Sequence, residues 1–156
     1  MTLRRKMVIL MADDDEDDRM LAQDALHESE ENAELRFVSD GAQLLDYLRC
    51  SGEYAPAEDS NTQLAPRPDL ILLDLNMPRL DGREALRQIK LDPMLRRTPV
   101  VILTTSRTEE DVWRAYDEGA NSYVTKPVSF EGLVDVMKHL RRYWAETVQL
   151  PLQTNP

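Results

Sequence analysis

Residues Pro68–Gly82 read PDLILLDLNMPRLDG. Four apolar residues, Leu70-Ile71-Leu72-Leu73, run without interruption and stop at a carboxylate, Asp74. A strand covered on both faces has this unbroken apolar pattern, and such strands belong to parallel sheets wrapped in helices. Asn76-Met77-Pro78 block an immediate helix, because the residue before a proline is pushed out of the helical region. Helical spacing resumes over Gly82–Leu91, with Leu86 and Ile89 on the inward side. Asp74 is therefore expected at the carboxyl edge of a buried strand, with its side chain free of helix-capping duty.

The same strand-then-helix rhythm extends in both directions. Upstream, Met7–Met11 is an apolar run ending in acids, and Asp14–Ser29 carries Met20, Leu21, Ala25 and Leu26 at helical spacing. Glu34–Ser39 reads as a short strand and Gly41–Cys50 as a helix. Downstream, Pro99–Leu103 is a second buried run, and Glu109–Glu118 is a helix closed by Gly119. Asn121–Val124 is a short strand, and Ser129–Trp144 the longest helix, with Leu133, Met137, Leu140 and Trp144 in one stripe. Five strand–helix pairs imply an α/β fold, with a parallel sheet between two helical layers. Ligands of such sheets bind at the carboxyl ends of the strands. Ser51–Pro68, rich in proline and polar residues, reads as a long loop, and Thr147–Pro156 as a tail.

Composition narrows the function. The chain has 156 residues, 42% apolar, which suits one domain with a compact core. Its net charge of −10 argues against nucleic-acid binding, which needs a basic stripe. The charge is uneven: residues 1–78 hold 18 acidic and 7 basic side chains, and residues 79–156 hold 11 and 12. Apolar runs fall far short of the roughly 20 residues of a membrane span, and no secretion signal is visible. A lone Cys50 excludes an internal disulfide, and five scattered glycines exclude a phosphate-binding glycine loop. These features predict a soluble, cytoplasmic protein with no membrane partner.

The acidic run Asp13–Asp18 has an ordinary explanation in its second half, since carboxylates favour the first turn of a helix. Asp13 and Asp14 are less easily explained that way. They directly follow a buried strand, and adjacent carboxylates repel unless a cation joins them. Mg²⁺ is commonly held by one or two carboxylates and waters. Asp74 would add a third acid at the same rim. Thr104 ends the fourth strand and can donate to an anion, whereas Thr105 and Ser106 equally suit capping of the next helix. Lys126, before Pro127, can neutralise a phosphoryl oxygen. All of these residues fall at strand ends on one rim, and together they suit phosphoryl transfer to an aspartate.

With these residues assembled, the sequence resembles the receiver domain of two-component response regulators. The resemblance spans residues 6–146 and rests on Asp13-Asp14, PDLILLDLNMPRLDG, Thr104 and Lys126-Pro127. It implies a flavodoxin-like, doubly wound five-stranded parallel sheet of order 2-1-3-4-5 with five helices. It implies Asp74 as phosphoacceptor, and Mg²⁺ bound by the Asp14 and Asp74 side chains and the Asn76 carbonyl, with Asp13 acting mostly through water. Thr104, Lys126 and Thr105 would surround the phosphoryl group; Thr105 stands where many receivers carry alanine or glycine, narrowing access. Thr104 and Tyr123 would form the switch that alters the helix-four, strand-five, helix-five surface. A cis peptide is implied at Lys126-Pro127. LDLNMPRLDGREAL, VVILTTS, GANSYVTKPV, the Ser51–Pro68 insertion and Arg142-Tyr143-Trp144 resemble stand-alone receivers that act with bacterial phytochrome histidine kinases. No DNA-binding output domain is expected after residue 146.

Three functions compete for these residues: a phosphoryl-accepting switch fed by a sensor histidine kinase, a metal-dependent phosphohydrolase, and an interaction module with a vestigial site. Such a hydrolase usually carries a second acid two residues after the nucleophile, where this chain has Asn76. Asp74 and Lys126 are both present, against the vestigial reading. The expectation is thus a switch and not an enzyme with turnover. A homodimer is expected through the face of helices four and five, with Tyr143 and Trp144 at its end and Leu150 and Leu152 packing across it. Met20 and Leu21 are read as core, with kinase docking as the alternative.

Overall fold

The computed structural model describes residues 6–28, 33–56 and 65–151. Its elements follow in the order β1 (Met7–Ala12), α1 (Glu16–Glu28), β2 (Ala33–Val38), α2 (Gly41–Arg49), β3 (Leu70–Leu73), α3 (Gly82–Leu91), β4 (Val100–Thr104), α4 (Glu109–Asp117), β5 (Ser122–Thr125) and α5 (Phe130–Arg141). The strands form one parallel sheet of order β2-β1-β3-β4-β5. This is the doubly wound architecture the alternation predicts.

The unbroken apolar runs are explained by the two faces of the sheet. Successive side chains point to opposite faces. Leu10, Ala12, Ile71, Leu73, Val100 and Ile102 enter a core shared with α2 and α3, to which α4 adds Ala115. Ile9, Met11, Leu70, Leu72, Val101 and Leu103 enter a second core shared with α1 and α5. Each central strand is buried along its whole length, while the edge strands β2 and β5 are mostly half-buried.

Two expectations about helices need correction. On α1 the buried residues are Ala22, Ala25 and Leu26, whereas Met20 is 60% exposed and Leu21 41%. Small alanines let α1 lie close to the sheet, and the tighter stripe they set turns Met20 and Leu21 outward. The last helix does not continue as regular α-helix to Trp144. It ends at Arg141 and passes into a wider π-helical segment, Arg142–Thr147. Within the long loop, Gly52–Tyr54 forms a single 3-10 turn. Leu152 of the tail lies outside the described residues.

Candidate phosphoacceptor site

Backbone pairing continues one residue past the strands and brings the reactive side chains to one rim. The Asp13 amide donates to the Val38 carbonyl at 3.1 Å, Asp74 to Ala12 at 3.0 Å, and Lys126 to Thr104 at 2.7 Å. Behind the acceptor, Gly82 starts α3 with its amide on the Leu75 carbonyl at 3.0 Å. A Cβ at Gly82 would collide with the Asp74 carbonyl oxygen, so only glycine lets α3 start this close.

Asp74 and Asp13 are buried, and their carboxylates are satisfied by named partners. The Thr104 hydroxyl donates to Asp74 Oδ1 at 2.8 Å, and the Asn76 amide reaches the same oxygen at 3.3 Å. Lys126 Nζ donates to Asp74 Oδ2 at 3.0 Å, Asp13 Oδ2 at 2.6 Å and Asp18 Oδ2 at 2.8 Å. The Asp15 amide holds Asp13 Oδ1 at 2.9 Å. Burial pushes the Asp13 carboxyl above its ordinary range, although the Lys126 ammonium and the Asp15 amide pull against it. Burial also works against the Lys126 charge, but its hydrogen bonds to Asp13 and Asp18 prevail and keep it protonated well beyond neutrality.

Asp13, Asp14 and Asp74 each bring a carboxylate oxygen to within 4.8 Å of the others. A set made only of oxygen donors, with one exposed and two buried carboxylates, fits a small hard divalent cation. Thr105 is exposed and lines a cleft with Lys126, Pro127, Leu21 and Phe130, on the side of the site away from α3. Tyr123 is partly buried against the α2–α3 core, and its hydroxyl donates to the Ser106 carbonyl at 2.9 Å.

Residues 9–138 match the response regulator receiver domain. The chain belongs to the response regulator receiver family. Response regulator Rcp1 of Synechocystis sp. is 42% identical over 144 residues, covering 92% of this chain and 92% of Rcp1. The crystal structure of the Mn(2+)-bound form of Rcp1 aligns with a TM-score of 0.81 at 41% identity, over 94% of this chain and 99% of that one. The phosphorylated cyanobacterial phytochrome response regulator RcpA aligns with a TM-score of 0.83 at 42% identity, over the same 94% and 99%. The receiver family and its fold are thus established for this chain.

The Lys126-Pro127 peptide is trans, not cis. The trans form is intrinsically favoured even before proline, and from it Lys126 already reaches all three carboxylates. Ser106 does not cap α4; Thr108 does, accepting the Asp111 amide at 3.1 Å. Its spacing of three residues before an acid is a helix-start signal present in the sequence. At the C-terminal end, Tyr143 is 51% exposed and packs edge-on against the half-buried Trp144, with ring centroids 5.2 Å apart.

Some residues were not singled out from sequence. Asp18 holds Lys126, yet its place in a helix's first turn gave it an ordinary explanation. Arg83 and Asp111 form a bidentate pair, Nε to Oδ1 at 3.0 Å and Nη2 to Oδ2 at 2.8 Å, across 28 residues of sequence. No local pattern announces such a pair. Trp113, 71% exposed, and Tyr116 give α4 an apolar outer surface.

Among the described residues, no helix is long and apolar enough to cross a membrane.

Proposed function

We propose that this chain is a phosphoryl-accepting switch in which Asp74 takes a phosphoryl group from a phosphohistidine of a sensor histidine kinase. The supporting observation is the Asp74 carboxylate, gripped by the Thr104 hydroxyl and the Lys126 ammonium beside two further acids. In the transfer, an Asp74 oxygen forms a bond to phosphorus as the phosphorus–nitrogen bond breaks. The electron pair returns to the imidazole nitrogen, which takes up a proton. The Asp14 and Asp74 side chains and the Asn76 carbonyl would hold Mg²⁺, with Asp13 acting through water. Bound there, the cation neutralises the carboxylates and the incoming phosphoryl oxygens.

Lys126 and Thr104 then serve the phosphoryl oxygens, exchanging carboxylate contacts for new ones. Thr104 moves toward the phosphoryl group, and Tyr123 responds through the β4–α4 loop that its hydroxyl touches. The affected face is α4, β5 and α5. Asn76 supplies no general acid or base, so the phosphoaspartate persists and the chain works as a switch without hydrolytic turnover.

Similarity to Rcp1 and RcpA supports a phytochrome-type kinase as the phosphoryl source. Met20 and Leu21 on α1, with Val128 and Phe130 after β5, give that kinase an exposed apolar surface next to Lys126. A homodimer would use the face of α4 and α5, with Tyr143 and Trp144 at its end, in the cytoplasm.

The test is incubation with acetyl phosphate and Mg²⁺, followed by intact-mass measurement of the wild type and Asp74→Asn. One added phosphoryl group in the wild type alone is expected. Equal addition to both proteins would remove Asp74 as acceptor.

A further inference from the structure

A second hydrogen-bonded circuit runs beside the acceptor, on the side opposite Lys126. It begins at Tyr123, whose hydroxyl donates to the Ser106 carbonyl at 2.9 Å. The Ser106 hydroxyl donates to Asp111 Oδ2 on α4. Asp111 is gripped by Arg83 on α3 through one guanidinium edge, Nε and Nη2, at 3.0 and 2.8 Å. Arg83 also donates to the Asn76 side-chain oxygen at 3.4 Å and to Asp81 at 3.1 Å. Asn76 lies two residues after Asp74, and Ser106 two residues after Thr104.

The circuit thus joins the two loops that leave the acceptor strand and the threonine strand. It also carries much of the hold on α4. That helix buries a single residue, Ala115, and leaves Trp113 and Tyr116 exposed. A helix with so little apolar burial is fixed by whatever polar ties it has. A partly buried bidentate guanidinium–carboxylate pair is among the strongest of these.

We infer that Arg83 is a positioning residue for phosphoryl exchange: by clasping Asp111 and Asn76 it closes the α3–α4 side of the site to water and fixes α4 to the acceptor loop. This rests on Asp74 as acceptor. Without the clasp, the Asn76 and Ser106 loops separate, water reaches the phosphoaspartate more readily, and α4 loosens.

The experiment uses the full chain, phosphorylated with acetyl phosphate and Mg²⁺ and then freed of the donor. Phosphoryl loss is followed by intact mass in Arg83→Ala, Asp111→Asn, the double variant and Arg83→Lys. Glu84→Gln, which removes the charge that Glu84 offers Arg87 and Gln88 on the exposed side of the same helix, is the control. In parallel, ¹⁹F NMR of 5-fluorotryptophan protein without phosphoryl donor reads Trp113 on α4 separately from Trp144.

Each single clasp variant is expected to speed phosphoryl loss at least threefold, and the double variant no further, because the two residues act as one unit. Arg83→Lys should move back toward the wild-type rate, and Glu84→Gln should match it. The Trp113 resonance should shift or broaden in Arg83→Ala while Trp144 stays in place. Wild-type phosphoryl loss in Arg83→Ala, or additive effects in the double variant, would overturn the clasp. If the wild type takes up no phosphoryl group from acetyl phosphate, phosphoramidate, whose P–N bond matches that of phosphohistidine, replaces it as donor. No uptake from either counts against the acceptor reading; an unmoved Trp113 line would then still overturn the clasp, and a moved one would uphold its hold on α4.

Discussion

Lys126 Nζ lies 3.0 Å from Asp74 Oδ2, yet the same ammonium is closer to Asp13, at 2.6 Å, and to Asp18, at 2.8 Å. One cation therefore pairs with three carboxylates from three different elements and offsets only part of their charge. Asp13 leaves β1, Asp18 rides on α1, and Asp74 leaves β3. Repulsion among these acids works against the packed rim, and Lys126 reduces it.

Removing that ammonium should be costly. Lys126→Ala leaves buried Asp13 and Asp74 without their counter-charge, and breaking such a pair costs about 3 kcal/mol. Added Mg²⁺ should restore part of the loss, because the metal ligands remain. Urea unfolding with and without Mg²⁺ measures both effects. The same variant should take up phosphate without the wild-type change at Tyr123.

Asp74→Asn has the opposite sign. It removes one carboxylate from a crowded rim while keeping a group able to accept from Thr104. Stability is expected to rise by about 1 kcal/mol in metal-free buffer, where Lys126 alone offsets only part of the repulsion. A fall in the thermal midpoint would show that the Lys126–Asp74 contact outweighs the repulsion.

Acid exposes a different pair. Arg83, and then the Ser106 hydroxyl, hold the Asp111 carboxyl down to about 2 from 3.8. A depressed carboxyl contributes stability above its unfolded value and loses it as pH falls toward the folded one. The wild type should therefore lose stability relative to Asp111→Asn between about pH 4 and pH 2. Parallel urea midpoints across that window give the difference, which should shrink as pH falls.

Metal dependence follows from the donor set. Chelation should abolish phosphoryl uptake from acetyl phosphate, and Mg²⁺ should restore it. Mn²⁺ should also work, since it accepts the same oxygen ligands. Phosphoryl uptake unchanged in excess chelator would separate the acidic cluster from the chemistry.

Self-association is expected at micromolar concentration. Sedimentation should show a dimer, and Tyr143→Ala should weaken it at least tenfold, since exposed aromatics dominate such contacts. A monomer with and without phosphorylation would remove the dimer.

Much of this was legible in the residues. The runs ending at Met11, Leu73 and Leu103 announce strands buried on both sides, and the acids and hydroxyls after them fall on one rim for topological reasons. The α1 face was misread because alanines carry little apolar signal, although Ala22 and Ala25 let that helix sit close. The Lys126-Pro127 geometry could not be read from its dipeptide, since both isomers are open to proline. Arg83 and Asp111 lie on separate helices, and only the packing of α3 beside α4 brings them together. Long-range polar pairs leave no periodicity, whereas cores do.

The most direct measurement is borohydride reduction of the phosphorylated protein, followed by peptide sequencing by mass spectrometry. Reduction converts a phosphoaspartate to homoserine and marks the residue that carried it. Homoserine at position 74 alone is the expected result. Homoserine at Asp13 or Asp14, or none in protein shown by intact mass to carry phosphate, would contradict Asp74 as the acceptor.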